Sequence, residues 1–145
     1  MFQHILVPVD GSDTAAKAVD KAVGLAKAFG AEVTALYVID PYPFTGVGAD
    51  FAYGQSQYIS AANTEAQLAL DMVRKACTDA GVKVTTVVDE DHAVHEGVER
   101  VLKSTGADLI VMGSHGRKGL RHLMLGSTTA RVLRVVHVPV LVVRD

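Results

Sequence analysis

Cysteine, tryptophan and proline are scarce in this chain, and no long apolar run is present. Its 145 residues include one cysteine, no tryptophan and four prolines. The single Cys77 cannot form an internal disulfide, which favours a reducing compartment. No apolar run approaches the roughly 20 residues that a membrane span needs, and no basic leader precedes the first apolar run at Ile5. A net charge of −2 argues against a polybasic nucleic-acid binder. These absences predict a soluble cytoplasmic protein with no membrane insertion and no nucleic-acid partner.

Acidic residues are absent from one long stretch, Leu109 to Arg144. The same stretch carries six basic residues, which are Arg117, Lys118, Arg121, Arg131, Arg134 and Arg144. Charge of one sign concentrated in one segment raises the local concentration of the opposite ion. The last quarter of the chain is therefore predicted to attract anions, although the whole protein is slightly acidic.

Apolar runs of strand length alternate with helical patterns along the whole chain. With 49% hydrophobic residues, the chain can bury the core of a single domain, residues 1–145. The predicted strands are 4–9, 31–39, 82–88, 107–113 and 138–143. The predicted helices are 12–30, about 57–80, 92–105 and 127–136. This alternation predicts an α/β fold, a three-layer, doubly wound open sheet of five parallel strands with four helices.

The first helix has clear start and stop signals. Ser12 is the predicted N-cap and Gly30 the predicted C-terminal glycine. The predicted inward-facing stripe consists of Ala15, Val19, Ala22, Ala26 and Phe29.

The segment GSHGRKGLRHLMLGST, residues 113–128, has the composition of a phosphate-binding loop. Glycines let backbone N–H groups approach a ligand closely and make positive φ available. Ser127 and Thr128 are placed at a helix N-terminus, where free N–H groups and the helix dipole favour an anion. Asp10 follows the first strand, and it would share one crevice with this loop if the first and fourth strands are neighbours.

Two known phosphate-binding motifs do not fit this segment. A Walker loop needs GxxxxGK followed by Ser or Thr, and a dinucleotide fingerprint needs GxGxxG after the first strand. The chain has neither spacing. The alternative is that the glycines are ordinary turn residues and Ser127 is only a helix cap.

The spacing of Gly113, two residues, Gly116, nine residues and Gly126-Ser127 resembles the ATP-binding branch of the universal stress protein family, with its motif G-2x-G-9x-G-(S/T). The segments ILVPVDGS, LYVID and VPVLVV extend the resemblance over nearly the whole chain. The resemblance implies strand order 3-2-1-4-5 in a Rossmann-like sheet of the adenine nucleotide alpha hydrolase type.

The resemblance also implies a set of ligand contacts. Asp10 matches an acid near the ribose and phosphates, and Val38 matches the position that lines the adenine pocket and meets the base through its backbone. Met112 and Gly113 match ribose and triphosphate contacts. The candidate ATP-binding residues are Pro8, Asp10, Val38, Met112, Gly113, Ser114, His115, Gly116, Arg117, Lys118, Gly119, Gly126, Ser127, Thr128 and Thr129.

The function implied is a nucleotide-dependent switch in the stress response. ATP, with Mg²⁺ held mainly through phosphates and water, would bias a state that a transporter or signalling protein recognises. No residue is predicted to be catalytic, because no positioned base for water is evident. One alternative is a slow Mg²⁺-dependent ATPase or phosphotransferase that uses the same pocket. Another is a dimeric module that binds AMP or a different anion.

Three further segments carry hypotheses. The strand Val138 to Val143, if it lies at the sheet edge, would pair with a second copy to form a homodimer. The loop Asp40 to Gln55 is interpreted as a flap near the adenine or a partner surface, or else its aromatic residues pack on the domain. His92, His95, Glu96 and Glu99 suggest a metal site, although a solvated acidic helix start is the better interpretation.

Overall fold

The computed structural model describes residues 1–41, 48–116 and 125–144. Within these ranges the chain forms five strands and four helices in strict alternation. The strands are β1 (His4–Pro8), β2 (Glu32–Ile39), β3 (Val84–Glu90), β4 (Leu109–Gly113) and β5 (Val140–Val143). The helices are α1 (Asp13–Phe29), α2 (Ala49–Asp79), α3 (Val94–Thr105) and α4 (Ser127–Val135). The predicted α/β class is confirmed. No helix in the described ranges has the length and apolar character to cross a membrane.

The five strands form one parallel sheet in the order β3-β2-β1-β4-β5, as predicted. β1 is central, since Ile5 pairs with Val33 of β2 on one side and with Leu109 of β4 on the other. The chain winds outward from β1 to β3 and then returns to place β4 and β5 on the opposite side. The direction of winding therefore reverses between β1 and β4, where open sheets of this kind bind ligands.

Two apolar cores lie on the two faces of the sheet. Alternate residues of a strand point to opposite faces. Ile5 and Val7 thus join the cluster that includes α1 and α2 residues, whereas Leu6 joins the cluster with α3 and α4 residues. All three side chains are fully buried. Truncating such a residue, for example Leu6→Ala, costs about 2–5 kcal/mol.

The capping of α1 agrees with the sequence prediction. The Ser12 hydroxyl accepts a hydrogen bond from the Ala15 N–H at 3.2 Å, and Gly30 ends the helix in the left-handed conformation with φ 68°. The prediction for Phe29 was wrong, since its side chain is 41% exposed. Phe29 is the last residue of the helix, and it packs edge to face on Phe2 with ring centroids 5.7 Å apart.

Two predicted helix starts differ from the structure. α2 begins at Ala49 and not near Gln57, so the second half of the predicted loop is helical. Each residue added to an existing helix gains a hydrogen bond, and this offsets the roughly 1 kcal/mol that a glycine such as Gly54 costs. α3 begins at Val94 and not at His92, because the backbone ahead of it is held in a side-chain turn at Asp91. Residues 42–47 of the predicted loop lie outside the described residues.

Candidate functional site

A cavity of about 110 Å³ opens at the carboxyl ends of β1 and β4. β1 ends in the turn that leads to α1, and β4 ends in the segment that the sequence assigned to phosphate binding. The lining residues are Pro8, Val9, Asp10, Ser12, Ala15, Leu36, Val38, Val94, Met112, Gly113, His115, Gly116, Thr128 and Thr129.

Most of the candidate ligand residues in the described ranges line this one cavity. They are Pro8, Asp10, Val38, Met112, Gly113, His115, Gly116, Thr128 and Thr129. Ser114, Gly126 and Ser127 do not line it, although Ser114 and Ser127 are each next to a lining residue in the chain. Arg117, Lys118 and Gly119 lie outside the described residues. The fold therefore brings together residues that are more than 100 positions apart in sequence.

Three glycines of this segment lie so close to neighbouring atoms that a side chain would not fit without a shift. A β-carbon on Gly116 would lie 2.5 Å from Asp10 Oδ2, and one on Gly113 would lie 2.7 Å from Thr14 Cγ2. A β-carbon on Gly126 would lie 3.1 Å from His115 Cα. None of these three glycines has positive φ, so that part of the sequence argument does not apply to them. The absence of side chains at Gly113 and Gly116 lets the segment after β4 pack directly on the start of α1, and the absence of one at Gly126 lets α4 begin against Ser114 and His115.

The N-terminus of α4 is held against the end of β4 and has no side-chain cap. The Gly126 N–H donates to Ser114 O at 2.7 Å, and the Thr129 hydroxyl donates to Gly113 O at 2.9 Å. Gly126 is the capping residue, no side chain bonds the cap, and the first turn has no acid. The alternative that Ser127 is a helix cap is wrong. Backbone N–H groups at such an end are available to an anion, and the helix dipole favours its charge.

Asp10, which follows β1, and His115, which follows β4, make hydrogen bonds to neighbouring residues at the cavity wall. Asp10 Oδ1 accepts the Ser12 N–H at 2.9 Å, which shapes the turn into α1. The His115 ring lies between two hydroxyl groups, with Nε2 3.3 Å from Thr14 Oγ1 and Nδ1 3.2 Å from Ser114 Oγ. These contacts connect α1 to the segment after β4 and order the wall of the cavity.

An apolar group at the β2 side of the cavity was not predicted from the sequence. Leu36 and Val94 line it together with Val38. Leu36 could have been found, because it lies two residues before Val38 in the same strand and so points to the same face. Val94 had no such signal, since its place depends on how α3 packs on β2. Val9 and Ser12 of the β1–α1 turn, and Ala15 in the first turn of α1, were also missed as lining residues.

The metal hypothesis receives partial geometric support. Ligand atoms of Asp91, His92 and Glu96 lie within 4.8 Å of one another, whereas His95 and Glu99 do not join them. Asp91 already accepts the Ala93 N–H and an Arg100 N–H, and these contacts hold the pKa of its carboxyl below the ordinary value against the opposing effect of burial. The carboxylate therefore has structural partners within the protein.

Fold and site together define an α/β protein with a cavity at the switch point of its parallel sheet. The model of the universal stress protein family matches residues 1–144, so the chain belongs to that family.

Individual relatives agree with this assignment. Universal stress protein MJ0531 of Methanocaldococcus jannaschii is 42% identical over 99% of this chain and 83% of its own length. The structure of MJ0577 from the same organism superposes with a TM-score of 0.84 at 31% identity, covering 100% of this chain and 97% of that one. A universal stress protein crystallised with cAMP has a TM-score of 0.69 at 25% identity, covering 99% and 97%.

Proposed function

We propose that this protein binds ATP in the cavity between β1 and β4 and acts as a nucleotide-dependent switch in the stress response. The observation that carries the proposal is the uncapped N-terminus of α4, which reaches the same cavity as Asp10, Gly113 and Gly116. A phosphate group suits this combination of exposed N–H groups, helix dipole and close-packed glycines. The cAMP complex of a family member gives independent support for an adenine nucleotide.

The lining residues suggest how each part of the nucleotide would be held. The adenine would contact the apolar group of Leu36, Val38 and Val94. The phosphates would contact the segment after β4 and the first turn of α4. Asp10 would lie near the ribose and could hold Mg²⁺ through water, since Mg²⁺ keeps several waters when it binds nucleotides.

In the cytoplasm, the switch would act through the assembly of two copies of the protein into a homodimer. β5 lies at the edge of the sheet, with Leu141 40% exposed. An edge strand offers unpaired N–H and C=O groups, so two copies would pair through Val138 to Val143. A transporter or signalling protein would then recognise the nucleotide-bound state.

The cavity favours binding over rapid chemistry. Asp10 is the one carboxylate among the described residues that line it, and one of its oxygens accepts the Ser12 N–H. Hydrolysis needs a base that orients water. The second candidate function, a slow Mg²⁺-dependent ATPase or phosphotransferase, would therefore have to use Asp10.

The proposal is tested on protein purified without added nucleotide. Small molecules are first extracted and identified, and ATP, AMP and cAMP are then titrated by calorimetry with and without Mg²⁺ while product formation is followed. Tight ATP binding with negligible turnover supports the switch, whereas steady ADP or AMP release favours the enzyme.

Gly126→Ala should weaken binding at least tenfold, because a β-carbon there meets the backbone of Ser114 and His115. Gly24→Ala is the matched control, since a β-carbon at Gly24 would meet no atom within 4 Å other than those of its own stretch of helix.

A further inference from the structure

A second cavity of about 200 Å³ lies between α1 and α2, on the opposite side of the β1–α1 turn from the candidate nucleotide site. Its residues are Val9, Gly11, Ser12, Asp13, Ala15, Ala16, Val19, Asp20, Ala69, Met72, Val73 and Ala76, called here the α1–α2 groove. Its floor is apolar. A cavity of about 150 Å³ can hold a benzene molecule, so this groove has room for an aliphatic or aromatic side chain.

Two large apolar side chains stand exposed on the α2 side of the groove. Met72 lines it and is 68% exposed, and Leu68, one helical turn earlier, is 64% exposed. Residues at positions i and i+4 of a helix lie on one face, so the two side chains form a continuous apolar stripe. Exposed apolar stripes beside a cavity mark interaction sites, and the flexible methionine side chain adapts to a partner.

The α1 side of the groove is acidic. Asp13 and Asp20 are seven residues apart, which places them two turns apart on the same face of α1, and both line the groove. Among the described lining residues there is no lysine or arginine. Lys17 lies between the two aspartates along α1, four residues after Asp13 and three before Asp20, but neither Lys17 nor Lys21 lines the groove. An apolar cleft with acid on one rim suits a partner that is apolar on one face and basic beside it.

The groove shares a wall with the candidate nucleotide site. Val9, Ser12 and Ala15 line both cavities. Val9 and Ser12 belong to the turn that Asp10 shapes through its bond to the Ser12 N–H, and Ala15 lies in the first turn of α1 directly after it. A ligand that moves or stiffens this turn changes both cavities at once. Differential binding to two arrangements of one element is what couples two sites.

From these features we propose that the α1–α2 groove docks an amphipathic basic helix of a partner protein, and that the β1–α1 turn couples this docking to nucleotide binding. The aliphatic side chains of the helix enter the groove over Met72 and Leu68, and its lysine or arginine side chains reach Asp20. The coupling rests on the proposed function, whereas the docking surface stands on the groove itself.

The probe is a fluorescein-labelled synthetic peptide, LKKLLKLLKKLLKL, compared by fluorescence anisotropy with a scrambled peptide of the same composition. We expect Met72→Ser and Asp20→Asn each to weaken binding of the amphipathic peptide at least fivefold, and Asp20→Asn to reduce its salt dependence. Leu133→Ser and Glu99→Gln are matched controls on the helices of the opposite sheet face and should leave binding unchanged. Both groove residues are exposed, and thermal melts establish that the variants fold.

Equal binding by Met72→Ser and wild type, or no preference over the scrambled peptide, would overturn the docking surface. Loss of self-association in Met72→Ser during sedimentation would assign the groove to a second copy and would also overturn the proposal. Saturating ATP is expected to change peptide affinity at least threefold. Calorimetry on the same sample measures ATP binding separately. Bound ATP without an effect on the peptide overturns the coupling, whereas absent ATP binding refutes the proposed function and leaves the groove test intact.

Discussion

Gly116 lies against Asp10 so closely that a β-carbon at position 116 would be 2.5 Å from Asp10 Oδ2. These two residues belong to the loops after β4 and β1, the two strands between which the winding of the sheet reverses. Asp10 Oδ1 is already held by the Ser12 N–H, so the carboxylate cannot turn away without losing that bond. Because Gly116 has no side chain, the Asp10 carboxylate has room to occupy this position in the cavity.

Gly116→Ala should lower ATP affinity at least tenfold while leaving most of the stability intact. The added methyl group displaces the Asp10 carboxylate, which is a side-chain end and not part of the backbone. Calorimetric titration measures the affinity, and urea unfolding measures the stability.

The control for this substitution is a double-mutant cycle with Asp10→Ala. If the glycine acts through the acid, the cost of Gly116→Ala falls in the background that lacks the carboxylate, because residues in contact are not additive. Equal costs in both backgrounds would show that the glycine acts independently of Asp10.

Gly113→Val should destabilise the fold, by about 1–3 kcal/mol. From sequence, Gly113 was predicted as a nucleotide contact. The structure shows a β-carbon there 2.7 Å from Thr14 Cγ2 and 3.2 Å from the Thr14 backbone carbon, so α1 itself must shift. Urea unfolding of the ligand-free protein gives the cost. Gly24 is an exposed residue in the middle of α1, and Gly24→Ala should stabilise the fold by about 0.5–1 kcal/mol.

The parts of the fold set by local pattern could be predicted from sequence. The alternation of apolar runs and helical periodicity identified all five strands, and Ser12 and Gly30 gave both ends of α1. The start of α2 was missed because each residue added to an existing helix gains a hydrogen bond, so the helix extends through Gly54 although glycine disfavours it. The exposure of Phe29 was missed because its ring contact is with Phe2, which lies before β1 and is 27 residues away in sequence.

The candidate site was predictable where a motif marks it. The spacing from Gly113 to Ser127 identified the segment after β4, and Asp10 followed from its position after the first strand. Leu36 and Val94 were missed because they belong to elements without a motif, and packing alone brings them to the cavity. The steric requirement for glycine at position 116 could not be predicted either, since Gly116 and the Asp10 carboxylate that it contacts are more than 100 residues apart in sequence.

Asp91 should make stability depend on pH in the acid range. The Ala93 N–H, and then Arg100, hold the pKa of its carboxyl below the ordinary value of 3.8, although burial opposes this. Because the folded-state pKa is the lower one, the contribution is complete above the unfolded-state pKa and is lost as pH falls through the folded-state pKa. Asp91→Ala should therefore be less stable than wild type at pH 7, with the difference shrinking below about pH 4. Urea unfolding at several pH values tests this, and Asp71→Ala on exposed α2 surface is the control.

Cys77 should be unreactive in the folded protein. Its side chain is fully buried, and burial raises the pKa of the thiol, so little thiolate is present at neutral pH. Iodoacetamide should modify it only after unfolding in urea, as followed by mass spectrometry. Rapid modification of the native protein would mean that α2 opens locally far below the free energy of global unfolding.

Leu141→Lys should shift the predicted homodimer toward monomer, raising its dissociation constant at least tenfold. β5 is an edge strand, and a lysine on an edge strand opposes pairing with another copy because its charge would have to be buried. Leu133→Lys is the matched control, since Leu133 is 42% exposed on α4 and Leu141 is 40% exposed on β5. Sedimentation of both variants and wild type at micromolar concentration measures the shift. Wild type that is monomeric under these conditions would remove β5 as the dimer contact, and nucleotide binding would then have to act within one subunit.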